Sequence, residues 1–125
     1  MADIKLALSK DKCISREAEH VNKQGGLYYP LHTRPTEADP GCWVYFILRH
    51  HLVARARAVE FVKFEEDQKR PLLDYNGKDI WKPGWKVKCA DMELPLQSKG
   101  GFEGFRKVRE GERERFEGAF AWPEE

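Results

Sequence analysis

Asp39-Pro40-Gly41-Cys42-Trp43-Val44-Tyr45-Phe46-Ile47-Leu48-Arg49-His50-His51, running on into Leu52-Val53-Ala54-Arg55-Ala56-Arg57-Ala58-Val59-Glu60-Phe61-Val62-Lys63-Phe64, is the stretch that decides the fold. Pro40-Gly41 is a turn signal, Cys42 to Leu48 is almost wholly apolar and β-prone, and Arg49-His50-His51 interrupts before the second run begins. Two strands around a polar tip make a buried β-hairpin. Along the second strand, Leu52, Ala54, Ala56, Ala58, Val62 and Phe64 fall on one face at period two, and Val53, Arg55, Arg57, Val59, Phe61 and Lys63 fall on the other. A face with three alanines admits another backbone layer at close range, as a tight barrel or a helix laid on a sheet requires. Trp43, deep in the hairpin, reads as core.

The flanking segments supply the remaining elements. Ile4, Leu6 and Leu8 alternate with Lys5, Ala7 and Ser9, the period of a half-buried strand. Ser15 offers a helix N-cap, Glu17 and Glu19 complement the dipole of the first turns, and Gly25-Gly26 supplies the stop. Leu27 to Leu31 holds Tyr28-Tyr29-Pro30 and opens into a polar loop that returns to Asp39. Beyond the hairpin, Glu65 to Arg70 is a solvated charge run, and Asn76-Gly77 and Pro83-Gly84 mark turns. Lys86 to Cys89 reads as a strand, closed by Leu94-Pro95. The sum is one domain over residues 1–125: an α+β fold built as a small, mostly antiparallel β-barrel with one to three short flanking helices, and a charged extension from about residue 106.

Composition narrows the function classes. The 125 residues carry 22 Lys and Arg against 21 Asp and Glu, a formal charge of +1, so any binding to nucleic acid must rest on a local patch rather than a global field. Cys13, Cys42 and Cys89 are odd in number and lack CxxC spacing, which argues against a disulfide framework or a four-cysteine zinc site. Cys42 and Cys89 sit in strand patterns and read as core thiols. Leu6 to Leu8 is too short for a signal-peptide core, and no run approaches the roughly 20 apolar residues of a membrane span. The expectation is a cytoplasmic monomer with no membrane role and no cofactor.

Few motifs carry chemistry. His50-His51 cannot converge on one metal from adjacent strand positions, and no ligand set lies at useful spacing. No GxSxG or ordered triad is present, so no catalytic residue is assigned; Asp91-Met92-Glu93 reads as a strand-end charge pair, with a metal-dependent nuclease site as the alternative. Gly100-Gly101-Phe102-Glu103-Gly104-Phe105 matches neither GxGxxG nor a P-loop and reads as a loop with two aromatic anchors. The aromatics are sharper. Trp81 and Trp85 lie in a turn-rich segment beside Lys78, Lys82 and Lys86, and Tyr28 and Tyr29 lie where the helix returns to the sheet. Aromatics of this kind either fill a core or stack a flat base while cations hold its phosphates.

The order of these elements resembles the PUA-like superfamily, and within it YTH and EVE domains. The likeness rests on Val44-Tyr45-Phe46-Ile47, the polar tip, Val53-Ala54-Arg55-Ala56, and Trp81-Lys82-Pro83-Gly84-Trp85-Lys86-Val87 with Leu94-Pro95, and it spans residues 4 to 95. The resemblance implies a barrel that binds a modified or flipped base in an aromatic pocket of DNA- or RNA-binding type, standing alone or acting with a nuclease partner. Carried onto this chain it implies Trp81 as one wall, Tyr28 or Tyr29 as another where YTH domains use tryptophan, Trp85 as a third, and Ser9 and Lys10 as the polar rim. Arg34, Arg55, Arg57, Lys78, Lys82 and Arg106 are the candidates for phosphate. The related ASCH type offers an alternative, an enzyme on a nucleoside or single strand with Lys10, Asp79 or Glu93 as acid or base. A small protein-interaction domain is the third reading.

Overall fold

The computed structural model describes residues 3–9, 13–31, 33–34, 38–49, 51–67, 71–74, 76–95 and 99–100. Its elements are strand β1 (Ile4–Ala7), helix α1 (Ile14–Gln24), and strands β2 (Leu27–Pro30), β3 (Trp43–Leu48), β4 (His51–Phe64), β5 (Gly84–Glu93) and β6 (Lys99–Gly100). The sheet order is β1-β3-β4-β5-β2, with β6 paired to the start of β4. β1 and β3 run parallel and the other pairs antiparallel. Among the described residues β1 and β2 are the two edges, so the sheet is open and α+β with one helix. The central hairpin lies where the apolar runs place it, with Leu48 opposite His51 and Trp43 opposite Arg57.

One face of this sheet buries the core. Val44, Phe46, Ala54, Ala56, Ala58, Val87 and Cys89 line it, Ile4, Leu27 and Tyr29 extend it, and Ala18 and Val21 of α1 cover it. The alanines of β4 lie within this core, while the helix itself packs closest to β5. Burial raises the thiol of Cys42 to about 11 and that of Cys89 well above its ordinary value, consistent with inert core thiols.

Helix α1 departs from expectation at its start. Ser15 is its second residue, not its N-cap. That position belongs to Cys13, in extended backbone, whose carbonyl accepts from the Glu17 N–H at 2.9 Å. The shift brings Ile14 onto the core. Glu17 does sit in the first turn, but it is buried and accepts a 2.7 Å hydrogen bond from the Tyr29 hydroxyl. The glycine stop holds: Gly25 is left-handed at φ 74°, and Gly26 N–H reaches back to the Val21 carbonyl at 2.9 Å, a Schellman closure. A Cβ on Gly26 would lie 2.8 Å from Lys88 Cε and 3.2 Å from the Cys89 carbonyl, so only glycine lets the helix end press against β5.

Three register shifts interrupt the alternation that period two predicts, one against β3 at Phe46/Ile47 and two against β5. Between Ala58 and Glu60 the pairing of β4 with β5 slips, and from there Phe61 turns onto the core face while Phe64 turns away from it. Phe61 and Phe64 therefore exchange the faces that strict alternation assigns them. A second irregularity lies opposite Arg55 and Arg57, where Asp91 takes φ 54°. Asn22 of α1 completes that bend by exchanging both amide bonds with Met92, 2.9 Å to its N–H and 3.1 Å to its carbonyl. Trp43 is also displaced from expectation: it is half-buried on the face away from the helix, not in the core.

Candidate functional site

The face opposite α1 carries two aromatic clusters. The first forms because Trp43, Arg55 and Arg57 alternate outward on neighbouring strands. The guanidinium carbons of Arg55 and Arg57 lie 4.1 and 3.5 Å from the centroid of the Trp43 ring. Arg55 is also forked onto one carboxylate oxygen of Glu93 at 3.0 and 2.9 Å. Arg57 donates to the Gly41 carbonyl at 2.9 Å. Asp3 closes this end by accepting the Trp43 N–H at 2.9 Å.

The second cluster lies beyond the register shift, where Tyr28, Phe64 and Trp81 make a continuous row. Phe64 stacks on Trp81 at 6.0 Å with 10° between the ring planes, and its other side meets Tyr28 at 5.1 Å and 60°. Both separations fall within the usual range for contacting rings. Trp81 is half-buried, and its indole Nε1 is buried without a hydrogen-bond partner. The Tyr28 hydroxyl donates to Glu60 at 2.6 Å. Lys86 Nζ lies 5.5 Å from the Phe64 centroid and Lys88 Nζ 5.7 Å from that of Tyr28.

Trp81 reaches this row because the loop before β5 is built around two aspartates. Asp74 accepts the N–H groups of Asn76 and Lys78, both at 2.9 Å, and so closes the Asn76-Gly77 turn. Asp79 accepts from Leu72 at 3.2 Å and from Trp81 at 3.0 Å, across a short bridge between Leu73 and Asp79. The carboxylate of Asp79 is therefore a backbone clamp, and that of Glu93 is taken by Arg55.

The predicted site residues divide accordingly. Tyr28 and Trp81 come together as expected, but with Phe64 between them. Tyr29 does not join them: it is buried against Phe46 at 4.9 Å with its hydroxyl on Glu17, and burial beside that carboxylate pushes its pKa far up. Trp85 alternates with Val87 and Cys89 toward the helix face, away from the row. Ser9 follows β1, at the opposite edge of the sheet from β2. Arg34 donates to the Ala38 carbonyl at 2.9 Å and packs over Phe61 at 4.2 Å. Arg55 and Arg57 surround Trp43, seven or more residues along β4 from Phe64, on the order of 20 Å at strand rise. Lys78 and Lys82 are exposed on the Trp81 loop. Lys10 and Arg106, like His50, Phe102 and Phe105, lie outside the described residues.

Sequence reasoning missed Phe64, hidden by the register shift, and Lys88. The alternation Lys86-Val87-Lys88-Cys89 held a signal for the pair of lysines, since it puts both on one face of β5. Comparison of the chain with protein-family models, with curated proteins and with solved structures finds no match. Among the described residues, no three His, Cys, Asp or Glu side chains are grouped to hold a metal ion, and no helix is long and apolar enough to cross a membrane.

Proposed function

We propose that this chain is a cytoplasmic nucleic-acid-binding module of PUA-like fold, its sheet curled toward a barrel, that takes a modified or flipped base of DNA or RNA onto the Tyr28–Phe64–Trp81 row. The observation behind the reading is that row itself: three rings in contact on the non-helix face of the sheet, ending in a half-buried tryptophan on a stiff loop. Phe64 already fills the space between Tyr28 and Trp81, so the base stacks on the outer side of Trp81 rather than between two walls. Stacking is tolerant of base identity, because every base has a π face, and selectivity then depends on edge hydrogen bonds. The Trp81 N–H, buried and unpartnered, is a donor that a base carbonyl or ring nitrogen would satisfy once the loop adjusts.

One stacked base contributes about 1–3 kcal/mol, so Trp81→Ala weakens binding by roughly 5- to 150-fold. Fluorescence anisotropy of labelled single-stranded DNA and RNA, each with and without methylated bases, measures it at low salt. Absence of binding by the unsubstituted protein, or equal binding by the variant, overturns the proposal.

A further inference from the structure

The turn at the head of the Trp81 loop holds the chain's single Asn-Gly pair, Asn76-Gly77, and the chemistry of that pair is separate from stacking. Asparagine is a thermolabile residue, most of all before glycine, where no side chain shields the next backbone nitrogen. Both residues are exposed, and a Cβ on Gly77 would meet nothing within 4 Å, so nothing crowds the Gly77 nitrogen from that side. Gly77 has φ 80°, so a residue with a side chain would be strained there. Against this, the turn is held shut. The Gly77 N–H donates to the Asp74 carbonyl at 3.0 Å, and the Asp74 N–H donates to the Lys78 carbonyl at 2.9 Å. One carboxylate oxygen of Asp74, a residue only 8% exposed, accepts from the N–H groups of both Asn76 and Lys78 at 2.9 Å.

We infer that Asn76 is a site of spontaneous covalent modification, hydrolysis of its amide to aspartate or isoaspartate, and that the Asp74 clamp is the gate that sets its rate. In the first step the Gly77 nitrogen attacks Cγ of Asn76. The N–Cγ bond forms, the Cγ–Nδ2 bond breaks, and the Gly77 proton leaves with the ammonia. Water then opens the cyclic imide. Cleavage of the new bond gives aspartate, and cleavage at the main-chain carbonyl of residue 76 gives isoaspartate, with one more carbon in the backbone. Nothing is oxidised or reduced. The Gly77 nitrogen cannot attack while its N–H is directed at Asp74, so cyclisation proceeds from opened turns, in proportion to their population. Either product adds a negative charge two residues from Asp74, and isoaspartate also lengthens the chain between the two N–H groups that Asp74 gathers. The same short hairpin sets Leu73 opposite Asp79, whose carboxylate holds the Trp81 N–H, so modification at Asn76 loosens Trp81.

The test holds the whole chain in mildly alkaline buffer, folded or unfolded in urea, and follows residue 76 by peptide mass mapping, with isoaspartate counted separately. Asn76 reacts in the folded protein, more slowly than in the unfolded one. Asp74→Ala removes the two side-chain hydrogen bonds of the clamp and speeds the folded reaction roughly tenfold. Asp74→Asn keeps an acceptor oxygen and stays near the parent rate. Asn76→Gln, whose longer side chain must close a larger ring, loses the reaction at this position. Equal rates in the folded and unfolded parent overturn the gate, and that comparison holds even where Asp74→Ala does not fold. If the unfolded chain converts fully while residue 76 stays intact in both the folded parent and folded Asp74→Ala, the site itself is wrong. Purified isoaspartate protein shows tryptophan emission moved to the red; unchanged emission would mean that the turn does not set Trp81. Mass and emission need no ligand, so this site stands or falls apart from base binding.

Discussion

Two tryptophans on one sheet face meet cations in opposite ways. Around Trp43 the cations are arginines, and each is tied down: Arg55 to Glu93 and Arg57 to the Gly41 carbonyl, both over the same ring. Along the row that ends in Trp81 they are lysines, Lys86 at 5.5 Å from the Phe64 centroid and Lys88 at 5.7 Å from that of Tyr28. The planar guanidinium stacks and forks at once and suits a permanent contact; the ammonium is a point charge on a flexible stem that can turn to a ligand. The first cluster is thus a structural joint between β3, β4 and β5, and the second sets lysines beside a row of rings whose middle member, Phe64, is buried.

The largest effect comes from breaking the joint. Glu93→Ala removes the carboxylate that Arg55, whose side chain is 12% exposed, meets beside the Trp43 ring. Loss of one partner of an enclosed pair costs about 3–5 kcal/mol, and the partial exposure here lowers that to about 2 kcal/mol. Urea denaturation shows the loss, and oligonucleotide affinity at a temperature where the protein stays folded is unchanged. If Glu93→Ala instead weakens oligonucleotide binding while leaving stability alone, the assignments of the two clusters are reversed.

The contrast also marks what the sequence made legible. The hairpin could be read because Cys42 to Leu48 and Leu52 to Phe64 are apolar at strand period, and the helix stop because Gly25-Gly26 admits one geometry. The faces of Phe61 and Phe64 could not, since a single unpaired residue near Val59 reverses every later side chain and nothing local announces it. Trp43 looked like core because its neighbours are apolar; the arginines that hold it outside come from another strand. Tyr28 and Trp81 were legible as aromatics of one neighbourhood, but not that Phe64 stands between them. Tyr29 was separable from Tyr28 only once β2 had a register against β5, which turns Tyr29 toward Val87 and the helix.

A smaller effect probes how firmly the second cluster is set. Asp79→Ala frees the N–H groups of Leu72 and Trp81, both on an exposed loop where water replaces the carboxylate, so stability falls by about 1 kcal/mol. Trp81 loses its fixed position, its fluorescence emission moves to the red, and oligonucleotide affinity falls in proportion. Asp79→Asn keeps an acceptor oxygen at the same place and restores both. Equal losses in the two variants would mean that the negative charge, not the clamp, is what Asp79 supplies.

The smallest effect has the most informative sign. The folded protein lowers the pKa of Lys86 below its ordinary 10.5, through burial first and the charge of Lys82 second. Between the folded value and 10.5 the unfolded chain binds more protons than the native one, so this residue makes stability rise with pH across that window. Below the window both states are protonated and the penalty of holding the charge is constant. Lys86→Met keeps a long side chain beside Phe64 and removes the charge, so it raises the melting temperature at pH 7 and flattens the rise seen above it. At Trp43 no such exchange is available, because neutralising Arg55 strands Glu93 and lowers stability. A Lys86→Met protein that is less stable at pH 7 would place Lys86 with the joint instead.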